Sequence, residues 1–307
     1  MTLRGQALRA DAWMLLASII WGAAFVAQGK AAAHLDALSI IALRFTVGGL
    51  LLLPIALARR SRVRAHSPWP TVALGGTLAG LVMLLAAVLQ QRGIEAGATA
   101  SAAGFITGLY VLFVPILGLA VGVRTHITVW AGALVAAAGL YLLSVGPDLS
   151  MSRGDVLVLL CALAWAVHVL LIGRFSPKCD AIELAAAQFL VTGVVAMCLL
   201  PFLSPSLPSL ESIEAVIWPL VYLGPVAVGV AFTLQVVGQR TAPPAHAAVI
   251  LSMESLFAAV FGAAIGGERL TGGQYAGCGL MLAGILLAQA LDLRGKPATA
   301  AETATPR

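Results

Sequence analysis

The chain has 307 residues, of which 60% are hydrophobic and 10% charged, against roughly 25% charged in a soluble domain. That composition excludes a water-soluble globule and leaves little sequence for a soluble domain. The net charge of +5 is distributed in a pattern that fits membrane orientation and argues against a nucleic-acid partner.

In chain order, apolar spans are predicted at 12–29, 38–58, 71–91, 98–121, 127–145, 155–174, 182–203, 213–236, 243–265 and 271–291. Each is close to the roughly 20 residues that cross a bilayer core as a helix. The N-terminus imitates a signal peptide, with Arg4 and Arg9 ahead of an apolar core and small residues at Ala31–Ala33. Its counterpart at 155–174 cannot be a signal, so the first span is expected to be retained. Trp13, Trp69, Trp130 and Trp218 fall near span ends, where amphipathic rings favour the interface. Pro115 in the fourth span and Pro225 in the eighth each remove a helix hydrogen bond and are expected to kink their helices. Glycines four residues apart (Gly76 and Gly80, Gly104 and Gly108, Gly262 and Gly266, Gly273 and Gly277) read as seams for close helix packing. Cys161, Cys179, Cys198 and Cys278 lack paired spacing, so neither a disulfide framework nor a metal site is expected.

The second half repeats the first. At an offset of 144, Trp21 matches Trp165, Lys30 matches Arg174, Asp36 matches Asp180 and Phe45 matches Phe189. At 145, Gln90 matches Gln235, Thr107 matches Ser252, Arg124 matches Arg269 and Gly132 matches Gly277. Five spans per half is an odd number, so the second half enters the membrane inverted, as in many secondary transporters with two gates around one site. The expected fold is an all-α membrane protein of ten transmembrane helices in two inverted five-helix repeats. Residues 1–11 form a cytoplasmic N-tail, 12–145 and 155–291 the repeats, and 292–307 a cytoplasmic C-tail, disordered from Gly295. On these spans thirteen of the eighteen Lys and Arg residues fall on one side. The positive-inside rule places that side, with both termini, in the cytoplasm. The basic run 59–64 is read as a determinant of topology.

Glu254 is the one carboxylate predicted near a bilayer midplane. Its ionised form is costly there, so it must be protonated, paired or hydrated. Three roles stay open: a proton-coupling site, a ligand for a substrate amine, or a structural partner for a polar group. Trp21 and Trp165, repeat mates near mid-span, are either packing residues or cavity walls. His168 lies three residues after Trp165 on a neighbouring part of one face. It is a hydrogen-bonded packing residue, or one that titrates with Glu254 or binds a carboxylate. Gln90, Thr107, Tyr110, Gln235 and Ser252 add neutral hydrogen-bonding groups. Arg44 lies about 9 Å inside its span, and its stem is expected to snorkel outward toward Asp36, with substrate binding as the alternative reading. Indoles, a phenol, amides and hydroxyls suit a small zwitterion with an apolar side chain and suit inorganic ions poorly. No HExxH, GxSxG or GxxxxGKS/T pattern occurs, and no second midplane carboxylate accompanies Glu254. Enzymatic activity, a cofactor and direct drive by ATP are therefore not expected.

These residues together resemble the EamA-type family of the drug/metabolite transporter superfamily over nearly the whole chain. Trp21-Gly22-Ala23-Ala24-Phe25 is similar to the family's WGxxF, and Ala42-Leu43-Arg44-Phe45 to its LRF segment. Gln90, Gly93, Ala103-Gly104-Phe105-Ile106-Thr107 and Pro115 resemble its third-to-fourth helix region. Gly267-Glu268-Arg269-Leu270-Thr271 with Gly277 resembles its closing GExLT…G. One departure is Ser255, where members often place Pro after the equivalent of Glu254. The resemblance implies ten helices, cytoplasmic termini and export of small metabolites, commonly amino acids, or of drugs. It also implies a cavity lined chiefly by helices one, three, four, six, eight and nine. Glu268 falls in an external loop on this topology and is read as structural. The expected function is an inner-membrane secondary transporter exporting such compounds by alternating access, with a channel-like facilitator for small polar solutes as the alternative. Its expected partners are a small-molecule substrate and the lipid bilayer, with the chain as a monomer or homodimer.

Overall fold

The computed structural model describes residues 3–62, 67–144, 152–267 and 269–288. The end of the basic run, Glu268, the last residues of the tenth expected span and the C-tail lie outside them. Among the described residues the regular structure is entirely helical. Of the described helices, eight are long and apolar enough to cross a membrane, and Ile127–Leu142 and Gly272–Ala288 are shorter apolar helices. The chain is a multi-pass membrane protein. Large apolar side chains such as Leu50, Leu57, Leu134, Phe202 and Leu286 point outward from the bundle, which only a lipid surround tolerates on this scale.

The first helix, α1 (Leu3–Ala32), begins well before the expected span at 12. Its opening Arg, Gln, Ala and Leu residues are good helix formers, and Ala10 and Met14 are buried. Next come α2 (Ala37–Arg62) and α3 (Trp69–Glu95). The fourth span is two helices, α4 (Ala100–Gly108) and α5 (Tyr110–Ala120), and α6 is Ile127–Ser144. Then follow α7 (Arg153–Phe175), α8 (Ala181–Leu203) and α9 (Leu210–Ala215). This last element corrects the expected start of the eighth span at 213. Ser209 caps α9 by accepting from Ser212 N, and the chain breaks at Val216 before α10 (Ile217–Val221).

Helix α10 continues as a π-helical stretch, Tyr222–Phe232, and then α11 (Thr233–Gln239). Pro225 has no N–H to give the preceding turn, so the ladder shifts register and widens there. The Thr233 hydroxyl donates to the Gly229 carbonyl at 2.6 Å, which satisfies an acceptor that the wider turn releases. The ninth span is again double, α12 (Pro244–Leu251) and α13 (Met253–Ala264), and α14 is Gly272–Ala288.

Helix α2 packs along α8, α3 along α7 and α8, and α6 along α14, while α1 lies against α11, α12, α13 and the π stretch. Asp36 accepts from Leu38 N and Ser39 N at the start of α2. Asp180 accepts from Ile182 N and Glu183 N at the start of α8. At one end of this pair Asp36 receives the Ser204 hydroxyl at 2.6 Å. At the other, Arg59 meets Asp180 at 2.8 Å and Arg60 meets Glu183 at 3.0 Å. Midway, Phe45 and Phe189 face each other at 6.5 Å between ring centroids.

The glycines divide by role. A Cβ on Gly76 or Gly80 would strike α8, and one on Gly104 or Gly108 would strike α13, so both pairs are seams. Gly277 meets α6 through Gly139, but Gly273 faces open space and Gly266 crowds only its own helix. Gly132 also belongs to the α6–α14 contact, where its Cβ would come 2.6 Å from the Gly284 carbonyl oxygen.

Candidate functional site

Two helix breaks position the site. At Leu109 the helix ends with its N–H on the Ile106 carbonyl at 3.2 Å, six residues before Pro115. Tyr110 thereby opens α5. At Ser252 the hydroxyl donates to the Val249 carbonyl at 2.8 Å, and Ser255 N donates to the Ser252 carbonyl at 3.1 Å. Glu254 thereby enters the first turn of α13. This break forms without proline. The Ser255 hydroxyl donates to the Gly104 carbonyl at 2.5 Å and ties α13 to α4.

The breaks border a cavity of about 50 Å³ open to the centre of a water molecule. A single water needs about 10–15 Å³ on this measure, so the space holds a few waters. Its walls come from α1 (Trp21, Phe25, Gln28), α2 (Arg44), α3 (Gln90), α5 (Tyr110), α7 (Trp165, Val169), α13 (Glu254) and the π stretch with α11 (Phe232, Gln235). Six of the nine site residues expected from sequence therefore share one cavity: Trp21, Gln90, Tyr110, Trp165, Gln235 and Glu254.

The other three lie behind its walls. Thr107 accepts from Gln90 Nε2 at 3.0 Å and touches Cys161 Sγ at 3.6 Å, which fixes the Gln90 amide. His168 is fully buried, with Nε2 2.9 Å from Gln188 Oε1 and its ring edge-on to Trp165 at 5.4 Å. Ser252 shapes the α12–α13 break. Gln235 donates to Gln239 Oε1 at 2.9 Å, and Gln239 donates to the Val169 carbonyl at 2.9 Å.

The aromatic wall is organised by Phe232, which the sequence reading missed. Its ring lies 4.5 Å from Trp21 and stacks on Trp165 at 5.5 Å and 24°. Phe45 and Phe189 both approach it at 6.1 Å. Trp21 Nε1 donates to the Ala227 carbonyl at 3.1 Å, a contact with the π stretch. Trp165 Nε1 lies beside Cys161 without closing a hydrogen bond. The Tyr110 hydroxyl lies beside Glu254, also short of a hydrogen bond.

Arg44 overturns the expectation that it snorkels toward Asp36. That carboxylate is occupied by Ser39, Ser204 and two backbone N–H groups. Arg44 is instead 5% exposed and borders the cavity, with Cζ 5.0 Å from the Phe45 ring centre. Outside the bilayer, burial raises the Asp36 and Asp180 carboxyls. Hydrogen bonds from Ser204 and Ser39 in the first case, and from Arg59 in the second, outweigh it and hold both below the ordinary value. No group of three or more His, Cys, Asp or Glu among the described residues is placed to hold a metal ion.

The EamA-like transporter family matches the chain twice, over residues 8–145 and 152–289. A protein of Archaeoglobus fulgidus described as an uncharacterized transporter is 30% identical over 282 residues, covering 91% of this chain and 85% of its own length. The Escherichia coli K12 protein described as uncharacterized inner membrane transporter YedA is 23% identical, covering 88% of this chain and 87% of its own. A Bacillus subtilis protein described as uncharacterized transporter YwfM is 28% identical, covering 94% and 96%. One solved crystal structure shares the fold with a TM-score of 0.70 at 24% identity, covering 93% of this chain and 98% of that one. With both matches together spanning nearly its whole length, the chain belongs to the EamA-like transporter family and is a membrane transporter.

Proposed function

We propose that this transporter exports small zwitterionic metabolites such as amino acids, or drug-like compounds, across the bacterial inner membrane by alternating access of two inverted five-helix repeats. The observation that carries the reading is the shared cavity. Helices from both halves meet there, and the mate residues Trp21 and Trp165 are bridged by one phenyl ring. Support for the inverted repeats comes from paired contacts. The Asp36 cap with Ser204 corresponds to the Asp180 cap with Arg59, and the family matches each half separately. The inner-membrane assignment draws on the relative described by that location. Cytoplasmic termini follow from the Lys and Arg asymmetry.

In this mechanism Trp21, Trp165, Gln90, Tyr110 and Gln235 contact substrate. Thr107, His168 and Ser252 position those residues. Glu254 is the proton-coupling candidate and the ligand for a substrate amine. The small cavity favours a carrier over the channel-like alternative, because a zwitterion enters only if the walls move. Proteoliposomes preloaded with unlabelled amino acids should show accelerated uptake of the labelled compound. Fluxes far above carrier rates without that acceleration would favour the channel. A Glu254→Gln carrier should lose uptake driven by a pH gradient while keeping exchange at equal pH. Unchanged driven uptake would remove Glu254 from coupling.

A further inference from the structure

We infer that Arg44 is the anchor for a substrate carboxylate, so that this transporter selects compounds carrying an anionic group. The inference rests on the proposed reading of the cavity as the substrate site and names the specificity it imposes.

A guanidinium carries five N–H donors and keeps its charge in any protein setting. Removing it from water is costly unless a carboxylate or several acceptors compensate. At Arg44 none does so. The residue is 5% exposed, Nε is sealed without a hydrogen-bond partner, and no carboxylate lies within ion-pair distance among the described residues. Its one directed contact is with the Phe45 ring. Among the described residues, Arg44 is therefore a buried cation at the edge of a cavity with no carboxylate partner.

Position 188 corresponds to 44 at the repeat offset and holds glutamine, bonded to His168. Repeat packing thus accepts a neutral amide at this place, and the charge at 44 is a separate feature of the first half. Glu254 borders the same cavity but does not pair with Arg44, and Trp21, Phe232 and Trp165 line the wall between helices of the two halves. An amino acid supplies what each group lacks: a two-oxygen carboxylate for the guanidinium fork, an ammonium for Glu254 and an apolar side chain for the rings.

The test compares proteinogenic amino acids with their amides, decarboxylated amines and matching carboxylic acids. Binding to detergent-purified protein is read by tryptophan fluorescence and exchange by counterflow in proteoliposomes. Wild type should prefer an amino acid over its amide and amine by at least about tenfold, the size of one charge-assisted hydrogen-bond pair. Arg44→Gln should bring acid and amide to near parity, and Arg44→Lys should keep the preference with weaker binding. The matching acids, which lack the amine, should bind through Arg44 and show no Glu254 dependence.

Amides or amines bound as well as acids by wild type would overturn the assignment even if Arg44→Gln fails to fold. An unchanged preference in a folded Arg44→Gln protein would do the same. If amines alone are bound, the cavity stands as the substrate site and only the Arg44 role falls. If no compound of the panel is bound or exchanged, the zwitterion reading falls and this inference with it.

Discussion

Phe232 is the residue on which the aromatic wall depends. It touches both indoles, and Phe45 and Phe189 hold it from behind. Truncating a buried phenylalanine typically costs about 3–5 kcal/mol, so Phe232→Ala should lower both thermal stability and ligand affinity. Trp165→Phe keeps the stack and removes an N–H that has no partner. Its melting temperature should stay close to wild type while substrate binding weakens by on the order of 1 kcal/mol. Thermal unfolding with equilibrium binding on the two variants separates these outcomes, and a Trp165→Phe protein that unfolds early would make the indole a packing residue. Sequence made the tryptophans visible because each has a mate 144 residues away. Phe232 has none, since Val88 and Ala87 occupy the corresponding places. Arg44 was misread for a different reason. Depth along a helix can be read from residue spacing, but which neighbour the helix turns its side chain toward cannot.

At the scale of elements, the α6–α14 pair depends on backbone contact. A Cβ at Gly132 would lie 2.6 Å from the Gly284 carbonyl oxygen, whereas one at Gly279 meets nothing within 4 Å. Gly132→Ala should therefore destabilise by about 1–3 kcal/mol through overpacking, and Gly279→Ala on the same pair should be neutral. Equal melting temperatures for the two variants would show that the helices separate freely. The Asp180 cap gives a pH signature. Against burial, the Arg59 guanidinium and two backbone N–H groups hold its folded carboxyl below the ordinary carboxylate value, so the folded state binds this proton less tightly than the unfolded state. The contribution is present in full above the unfolded value and is lost as pH falls through the lower folded value. Asp180→Asn should flatten the stability profile in that acid range and lower stability near neutrality, where the contribution is otherwise present in full. Most helix ends were legible because lipid demands apolar runs, as at α3, α7 and α8. Helix α1, however, starts at Leu3, nine residues before the expected span at 12, because its polar opening turns are good helix formers. The internal breaks of the spans were not legible. Ser252 interrupts a helix without any proline, and α9 separates at Val216 through local capping.

For the molecule as a whole, ten spans would put both ends of the chain on one side, and that is the prediction to test. Reporter fusions at residues 64 and 300 should both read cytoplasm, and a periplasmic signal from either would mean a miscounted span. The two ends of the bundle also differ in chemistry. Arg59–Asp180, Arg60–Glu183 and His246–Asp11 join helices at one end, while the Ser204–Asp36 hydrogen bond holds the other. Dissolved salt distinguishes them. Counter-ions screen charges beyond about 3 Å at 1 M and about 10 Å at 0.1 M, and the Arg59 side chain is 49% exposed. A hydroxyl bonded to a carboxylate at 2.6 Å is hardly affected. Dissolved salt therefore weakens the ion pairs that join helices at the Arg59 end more than the hydrogen bond that joins them at the Asp36 end. Under the alternating access proposed above, a rise in ionic strength should shift the carrier toward opening at the Arg59 end.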